Sequence, residues 1–288
     1  MKSRLFLRVN LNQNIMKKNL FYFLAVALPM LTSCSNDTIV SASKSEIILP
    51  KTLKYSNTGS SLVSSFDFTY SGNKIKSIIG LNERTDYTYE GDFIVKEIKY
   101  NIKSGSDIRK EEYTYAYENN KLVSTTYAKD FTAKYPDGSY KERSVYTYNA
   151  DDSAVMKTYY KDLEFFEEEK LGDIELELKI DKLTFVNGNL TKRVSKISLG
   201  SYMGYSETDT REYLYEYDVN NTPFKNILGF DLLMKDVFVN NAVKTTISSV
   251  LWNGSYLNSN SSNIEYVYNK EGYPLKVSDR FKITEYIY

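Results

Sequence analysis

Tyrosine and phenylalanine alternate with threonine and charged residues in short runs along most of this chain, and each run leads into a turn. Tyr113-Thr114-Tyr115-Ala116-Tyr117, for example, is followed by Glu118-Asn119-Asn120 and then by Lys121-Leu122-Val123. Alternation with a period of two predicts a half-buried β-strand. Asn, Asp and Gly between two such runs supply the positive φ angles that tight hairpins need. Each unit therefore predicts a β-hairpin.

The same unit recurs at irregular spacing, which argues against a solenoid because stacked repeats need a fixed period. The alternating runs are Phe66-Asp67-Phe68-Thr69-Tyr70, Tyr87-Thr88-Tyr89, Tyr113-Thr114-Tyr115-Ala116-Tyr117, Tyr146-Thr147-Tyr148, Leu183-Thr184-Phe185, Tyr213-Leu214-Tyr215-Glu216-Tyr217, Tyr266-Val267-Tyr268 and Glu285-Tyr286-Ile287-Tyr288. We predict an all-β fold, an antiparallel meander of roughly a dozen or more strands in a curved or barrel-like sheet. One side of that sheet should be buried by the tyrosines and the other should face water.

Three segments depart from this pattern. Residues 162–181 are acid-rich, and in their second half Ile174, Leu176, Leu178 and Ile180 alternate with charged residues, which predicts a further strand. A polar cap, a proline at the first turn and a glycine at the end predict one short helix over residues 223–228. Residues 258–263, with the sequence NSNSSN, are expected to form a loop.

The N-terminal region reads as an export signal. Lys17-Lys18 precedes an apolar stretch at residues 20–31, a length typical of a secretory signal and shorter than the roughly 20 residues of a membrane-spanning helix. Leu31-Thr32-Ser33-Cys34 resembles the lipobox of bacterial lipoproteins. The resemblance implies cleavage before Cys34, a lipid on its thiol and acylation of the new amino group. A conventional signal with an incidental cysteine is the alternative.

These features divide the chain into three parts. Residues 1–33 are predicted to be the signal peptide, with Met16 as the true start. Residues 34–46 are small and polar and are predicted to be a lipidated tether. Residues 47–288 are predicted to be a single all-β domain.

Composition excludes several kinds of chemistry. The chain has no histidine and one cysteine, so a His-assisted nucleophile, a His-ligated zinc site and an internal disulfide are all excluded. Without residues 1–33 it carries 37 acidic and 32 basic side chains, and no basic field exists to attract nucleic acid. No phosphate-binding glycine loop or dinucleotide motif occurs. We therefore predict no catalytic residue, no cofactor and no nucleic-acid partner, although carboxylates or tyrosines could still support catalysis.

Candidate sites in the sequence are few. Three glutamates at 167–169 suggest a Ca²⁺ site, but the Asp-x-Asp-x-Asp spacing of a calcium loop is missing, so a solvated charged face is favoured and no metal is predicted. Asp151-Asp152 is typical of a turn. Trp252 fits either a strand end or a platform for a sugar, and the structural role is favoured. The sequence identifies no ligand-binding residue.

The tyrosines themselves allow three interpretations. As core residues they would contribute about 0.2–1 kcal/mol for each cross-strand pair, which is the interpretation we favour. As residues of a concave surface they would stack on sugar rings. A transmembrane barrel has the same period of two, and Tyr288 resembles the C-terminal aromatic residue of outer-membrane barrels. The dominance of tyrosine in mid-strand, together with a separate lipid anchor at Cys34, argues against that third interpretation.

The recurring Tyr-x-Tyr-turn-Lys units, the lipobox and two asparagine-rich stretches resemble a family of uncharacterised cell-envelope lipoproteins of the Bacteroidota. The stretches are Asn220-Asn221-Thr222-Pro223-Phe224-Lys225-Asn226 and Asn240-Asn241, and the resemblance covers most of residues 50–288. The family is described as a domain of unknown function with a porin-like fold, whose strands are similar to the Tyr-Asp repeats of Rhs-type shell proteins. Here the Gly-Arg-Leu consensus of true Tyr-Asp repeats is blurred. The family has no assigned activity.

From these observations we predict a lipid-anchored cell-envelope lipoprotein with a structural or binding role and no identifiable chemistry. Its partners are the membrane, through Cys34, and a glycan or another envelope protein. The first alternative is a glycan-binding accessory lipoprotein, and the second is a carboxylate-dependent hydrolase. We expect attachment to the outer membrane. Ser35-Asn36-Asp37 lacks an acidic export run, which favours the periplasmic face over the cell surface without deciding between them.

Overall fold

A computed structural model of the chain describes residues 47–103, 106–168, 174–197, 210–234, 239–250 and 256–288, all within the compact unit Glu46–Tyr288. Cys34, the signal peptide and the predicted tether lie outside the described residues. The strands are β1 Thr52–Asn57, β2 Ser64–Ser71, β3 Lys74–Ile79, β4 Glu83–Glu90, β5 Phe93–Lys103, β6 Ser106–Glu118, β7 Lys121–Lys129, β8 Tyr140–Tyr148, β9 Ser153–Asp162, β10 Leu176–Val186, β11 Asn189–Ile197, β12 Thr210–Tyr217, β13 Ala242–Val250, β14 Tyr256–Asn263, β15 Glu265–Tyr268, β16 Pro274–Ser278 and β17 Lys282–Ile287. The described helices are α1, Leu163–Glu168, and a 3-10 helix, Asp231–Leu233.

All 17 strands of the described residues belong to one antiparallel sheet that is nearly closed into a barrel. Each strand pairs with the next along the chain, except that β14 and β15 follow each other in line across Ile264, with β14 paired to β13 and β15 to β16. The first and last strands also pair, with Leu53 opposite Tyr286. This pairing covers the edges that the first and last strands would otherwise expose. The predicted all-β meander is thus confirmed.

The tyrosines of the alternating runs lie on the inward face of this barrel. Tyr87, Tyr115 and Tyr146, from three separate hairpins, pack on the same buried cluster. Their neighbours Thr88, Thr114 and Thr147 alternate with them along the strands and so point outward. The prediction of one tyrosine-buried side is therefore confirmed.

The two ends of the barrel differ in their connections. At one end, here called the turn end, most hairpins close with short turns, for example residues 72–73 between β2 and β3 and residues 119–120 between β6 and β7. Asn119 and Asn120 have positive φ angles of 50° and 61°, as the hairpin prediction requires. At the other end, the loop end, longer connections include residues 58–63 and 130–139. Because β1 starts and β17 finishes at the turn end, the domain begins and ends there.

A β-bulge follows the turn in most of these hairpins, and the sequence did not predict it. In β3, for instance, Tyr70 pairs with Ile75 whereas Thr69 pairs with Ser77, so Lys76 is the extra residue. The equivalent extra residues are Val95, Val123, Thr191, Val243 and Leu275. A bulge places positions i and i+3 on the same face and increases the local twist, which helps the sheet to curve.

Two local predictions need correction. Residues 258–263 form part of β14 instead of a loop, because Ser259 and Ser261 bond through their hydroxyls to Ser248 and Thr246 of β13. The short helix predicted over 223–228 takes the form of successive i to i+3 turns, and regular helical residues begin only at Asp231. The strand predicted in the second half of residues 162–181 is β10, whereas α1 in the first half was not expected.

Candidate functional site: the plugged barrel interior

Tyrosine hydroxyls fasten the turn end of the barrel. The last tyrosine before a turn donates to the backbone carbonyl at the start of the preceding strand, as Tyr117 does to Ile94 at 2.9 Å. The same bond recurs from Tyr70 to Pro50, Tyr148 to Leu122, Tyr217 to Leu190 and Tyr288 to Pro274. Each ring is thereby fixed at both ends, by packing inside the barrel and by a hydrogen bond to the backbone.

Residues 222–234, which we call the plug, lie inside the barrel at its turn end. Ile227, Phe230 and Leu233 are buried in the same cluster as Ile75 and Ile94 of the wall. These side chains are apolar at positions i, i+3 and i+6, so a chain of i to i+3 turns presents all three on one side. The plug therefore completes the hydrophobic core of the barrel.

Backbone contacts fix the position of the plug along the barrel axis. The Leu228 amide donates to the Asn73 carbonyl at 3.0 Å, and the Leu228 carbonyl accepts from the Tyr89 hydroxyl at 3.0 Å. Gly229 has φ of +72°, and a Cβ at this position would lie 2.7 Å from the Asp92 carbonyl oxygen. Glycine is required here both by the left-handed backbone and by the close approach to the wall.

An asparagine and aspartate network holds the chain before and after the plug. The Asp218 carboxylate accepts the backbone amides of Asn220 and Asn241 at 3.0 and 3.1 Å and also bonds the Tyr268 hydroxyl. The Asn240 amide group donates to the Asn220 carbonyl at 3.0 Å. The asparagines that carried the family resemblance thus position the plug.

A cavity of about 720 Å³, which we call the lumenal cavity, lies between the plug and the inward faces of seven strands. Aromatic residues from the wall and the plug dominate its lining: Tyr87, Tyr213, Tyr215, Phe224, Phe230, Tyr266 and Tyr286. Thr245 and Ile247 of β13 complete one side of it. A separate, smaller cavity of about 240 Å³ lies on the other side of Leu233 and is lined by Glu142, Tyr127 and Tyr146.

Glu97 is the acidic residue in the wall of the lumenal cavity, and it is 5% exposed. Its carboxylate accepts the Tyr115 hydroxyl at 3.1 Å. Burial raises the pKa of Tyr87 and Tyr115, and the nearby Glu97 charge raises both further. Burial is likewise the main reason that the pKa of Tyr113 rises to about 12, with smaller contributions from Glu111 and Glu97. These tyrosines therefore stay uncharged near neutral pH, and Tyr115 donates its hydroxyl to the carboxylate.

Charged pairs occupy the interior nearer the loop end. Asp181, which is fully buried, accepts two bonds from the Arg193 guanidinium at 2.7 and 3.1 Å, and Lys179 lies 3.7 Å away. Lys99 and Glu111 form a second inward pair at 3.1 Å. Asp181 is thus engaged in a paired arrangement of the kind that buried charges require.

The candidate sites named from the sequence lie apart from the barrel interior. Glu167 forms an exposed ion pair with Lys134, and no cluster of three or more potential metal ligands occurs among the described residues. Asp151 accepts the Ser153 amide at 3.1 Å and Asp152 has φ of 58°, as expected of a turn. Glu169, Trp252 and Cys34 lie outside the described residues.

Sequence reasoning missed Glu97 and the apolar side chains of the plug as interior residues. Glu97 follows Ile94 by three positions, and the bulge at Val95 turns both residues inward. A strict period of two places them on opposite faces. The spacing of Ile227, Phe230 and Leu233 was a readable signal, but it cannot show that the segment enters a barrel.

The outward face of the barrel carries ion pairs alongside isolated exposed apolar side chains such as Leu214, Val267 and Ile287. Ion pairs lie there between neighbouring strands, including Lys96 with Glu112 and Lys244 with Glu216. A lipid-facing surface would instead carry an apolar band about 25 Å tall. The described outward face therefore argues against the transmembrane interpretation of the strand pattern. Separately, the helices in the described part of the chain are too short to cross a bilayer.

No protein-family model matches this chain, and no curated protein matches it by sequence.

Proposed function

We propose that this chain is a lipid-anchored cell-envelope lipoprotein whose barrel has a structural or binding role and performs no catalysis. The observation that carries the proposal is the plugged interior. Plug and wall share one hydrophobic core, and tyrosine hydroxyls tie neighbouring strands together, which makes a rigid scaffold. The lipobox at Leu31-Thr32-Ser33-Cys34 supplies the attachment.

The first described residues of the chain lie at the turn end of the barrel. Ile48, just before β1, accepts a hydrogen bond from the Asn226 amide of the plug at the turn end. A tether of residues 34–46 would span at most about 45 Å when fully extended. Such a tether would join the barrel at its turn end.

Replacing the lipidated cysteine tests the anchor. Cells expressing Cys34→Ala should neither incorporate a labelled fatty acid into this protein nor retain it in the membrane fraction. Ser33→Ala keeps a small residue before the cysteine and should behave as wild type. Wild-type protein without fatty-acid label would overturn the proposed anchor.

A glycan-binding role is the second candidate, and the lumenal cavity is the observation in its favour. Its tyrosine rings offer flat apolar surfaces suited to sugar rings. A glycan array with the soluble fragment 46–288 tests this role, and signals at background on every glycan would eliminate it. The hydrolase alternative has less support, because Asp181 is already paired with Arg193 and Glu97 bonds Tyr115.

A further inference from the structure

We propose that the loop end of the barrel inserts a set of exposed apolar side chains into the surface of a lipid bilayer. These side chains, which we call the apolar rim, are Leu62, Val63, Leu81 and Phe281. The inference goes beyond the lipid anchor, because it concerns a contact made by the barrel itself. It rests on the proposed function only for the presence of a membrane within reach.

Three neighbouring connections at the loop end carry the apolar rim. Phe281 lies between β16 and β17, Leu62 and Val63 lie between β1 and β2, and Leu81 lies between β3 and β4. Because β17 pairs with β1, β1 with β2 and β2 with β3, the three connections follow one another around the barrel, each about 10 Å from the next. The exposed fractions are 81% for Leu62, 61% for Val63, 89% for Leu81 and 69% for Phe281. Single exposed apolar residues are ordinary, whereas a group on adjacent connections marks an interaction surface.

Backbone contacts hold these connections in place. The Thr58 amide donates to the Phe281 carbonyl at 2.8 Å, which joins two of them. The Gly80 amide donates to the Glu83 carbonyl at 2.8 Å, and a Cβ at Gly80 would lie 2.7 Å from the Phe66 ring, so the third connection packs directly on β2. The apolar side chains are therefore presented to solvent by an ordered backbone.

The charges of the rim are few and balanced. Residues 58–63 and 80–82 contain no charged side chain. The Asp279 carboxylate accepts the backbone amides of Phe281 and Lys282, both at 2.7 Å. The exposed Arg280 guanidinium lies 5.3 Å from the Phe281 ring centre, a position from which it can bond a headgroup phosphate while the ring enters the apolar layer. Glu83 and Lys282, on the adjoining strands, have opposite signs, so the affinity must come from apolar insertion.

The shape of the rim favours lipid over a protein partner. Its apolar side chains project from separate turns, with the polar residues Ser60, Ser61 and Asn82 between them. A protein surface would need a matching depression for each projecting side chain in order to exclude water. Headgroups and acyl chains rearrange around each side chain, as they do around the apolar face of an interfacial helix.

The length of the tether permits this orientation, although the tether joins the opposite end of the barrel. The longest described strand, β6, has 13 residues and extends about 43 Å along its own axis. The tilt of strands in a barrel makes the distance between the two ends shorter than that. Residues 34–46 span up to about 45 Å. A barrel with its loop end on the bilayer can therefore stay attached through Cys34 to the same bilayer.

Single fluorescent labels test which end of the barrel meets lipid. Cys34 is the sole cysteine of the chain, so fragment 46–288 has none, and one introduced cysteine can carry an environment-sensitive fluorophore. Leu81→Cys and Phe281→Cys place the label on the rim. Val219→Cys is the matched control, because Val219 is 92% exposed at the turn end. The probes are vesicles of phosphatidylcholine and vesicles of phosphatidylethanolamine with phosphatidylglycerol in equal parts.

We expect both vesicles to shift the emission of the rim labels to shorter wavelength and to leave the control label unchanged. No shift from the rim labels at millimolar lipid, or an equal shift from the control label, would overturn the proposal. A shift produced by raising the protein concentration without vesicles would also overturn it, since a second copy would then cover the rim. The fragment lacks Cys34, so its result is separate from the fatty-acid labelling test above.

Vesicle sedimentation measures the contribution of the apolar side chains. Leu81→Ser and Phe281→Ser should each lower the partition coefficient of fragment 46–288 about tenfold, because a large apolar side chain no longer leaves water. Val219→Ser should leave it unchanged, and raising the NaCl concentration from about 0.05 to about 0.5 M should have little effect. Circular dichroism checks the fold of each variant. Binding that disappears in high salt and is insensitive to both rim variants would assign the contact to charge and reject insertion.

Discussion

The turn end and the loop end of the barrel are filled in different ways. At the turn end, the first inward residue after several turns is a buried apolar side chain, namely Ile75, Ile94 or Leu122, and the plug packs against it. Toward the loop end, the inward positions carry charged residues such as Asp181, Arg193 and Lys99 together with an aromatic cluster around Tyr140 and Tyr160. One half of the interior is thus a hydrophobic core, and the other mixes paired charges with aromatic side chains.

This difference separates stability from binding. Burial of apolar surface at the turn end is the main favourable contribution to folding. The charged residues nearer the loop end must be paired to be tolerated, and they contribute less to stability than their number suggests. The lumenal cavity lies where the two kinds of interior meet, between Phe230 of the plug and Glu97 of the wall.

Alkaline pH should cause the largest loss of stability, because it ionises several tyrosines of the turn end over the same pH range. Burial raises the pKa of Tyr89 and Tyr148 to about 12, whereas a tyrosine in the unfolded chain titrates near 10. Their contribution to stability is fully present below pH 10 and is lost as the pH rises from about 10 to about 12. Circular dichroism should show cooperative loss of the sheet in that range, together with tyrosinate absorbance. Tyrosinate formation near pH 10 without loss of the sheet would show that the rings are not buried.

The next largest effect should come from the buried ion pair of the polar half. Asp181→Ala leaves the half-buried Arg193 without its carboxylate and should lower the free energy of unfolding by about 3–5 kcal/mol. Glu216→Ala removes one partner of an outward pair with Lys244 and should cost less than about 1 kcal/mol. Urea denaturation of fragment 46–288 compares the two variants. Similar costs for both would contradict the assignment of inward and outward faces.

Truncating a buried side chain of the plug should lower the free energy of unfolding by a similar or slightly smaller amount. Ile227→Ala opens a cavity in the shared core and should lower the free energy of unfolding by about 2–5 kcal/mol. Val219→Ala, at a position 92% exposed just before the plug, should change it by no more than about 0.5 kcal/mol. Urea denaturation measures both. If Ile227→Ala behaved like Val219→Ala, the plug would not be part of the core.

A matched pair of glycines sharpens the comparison further. Gly229 and Gly59 have similar φ angles of +72° and +81°, but a Cβ on Gly229 meets the Asp92 carbonyl, whereas a Cβ on Gly59 meets nothing within 4 Å. Each alanine substitution should cost about 1–3 kcal/mol for the left-handed backbone. In thermal unfolding, Gly229→Ala should lower the melting temperature more than Gly59→Ala does. Only the Cβ added at residue 229 pushes the plug away from the wall. Equal costs would mean that the close approach is unimportant.

Much of the local structure can be predicted from the residues alone. Tyr113-Thr114-Tyr115 has one buried face in any antiparallel sheet, and Asn119-Asn120 accepts the positive φ angles of a tight turn. The all-β class, the hairpin order and the inward tyrosines all follow from such short-range rules. Lipidation of Cys34 and the family resemblance stay predictions, since they concern residues and relatives on which the structure does not bear.

Tertiary structure alone determines that the sheet closes, that the plug enters the barrel and that a cavity remains between the two. Pairing of Leu53 with Tyr286 joins residues that are separated by almost the whole domain, and no local pattern encodes it. The bulge at Val95 turns Glu97 inward. Because Phe230 lies inside the barrel, the Glu97 carboxylate becomes part of a cavity wall. Period and turn chemistry act over a few residues, whereas a cavity depends on which distant surfaces meet and on the space they leave between them.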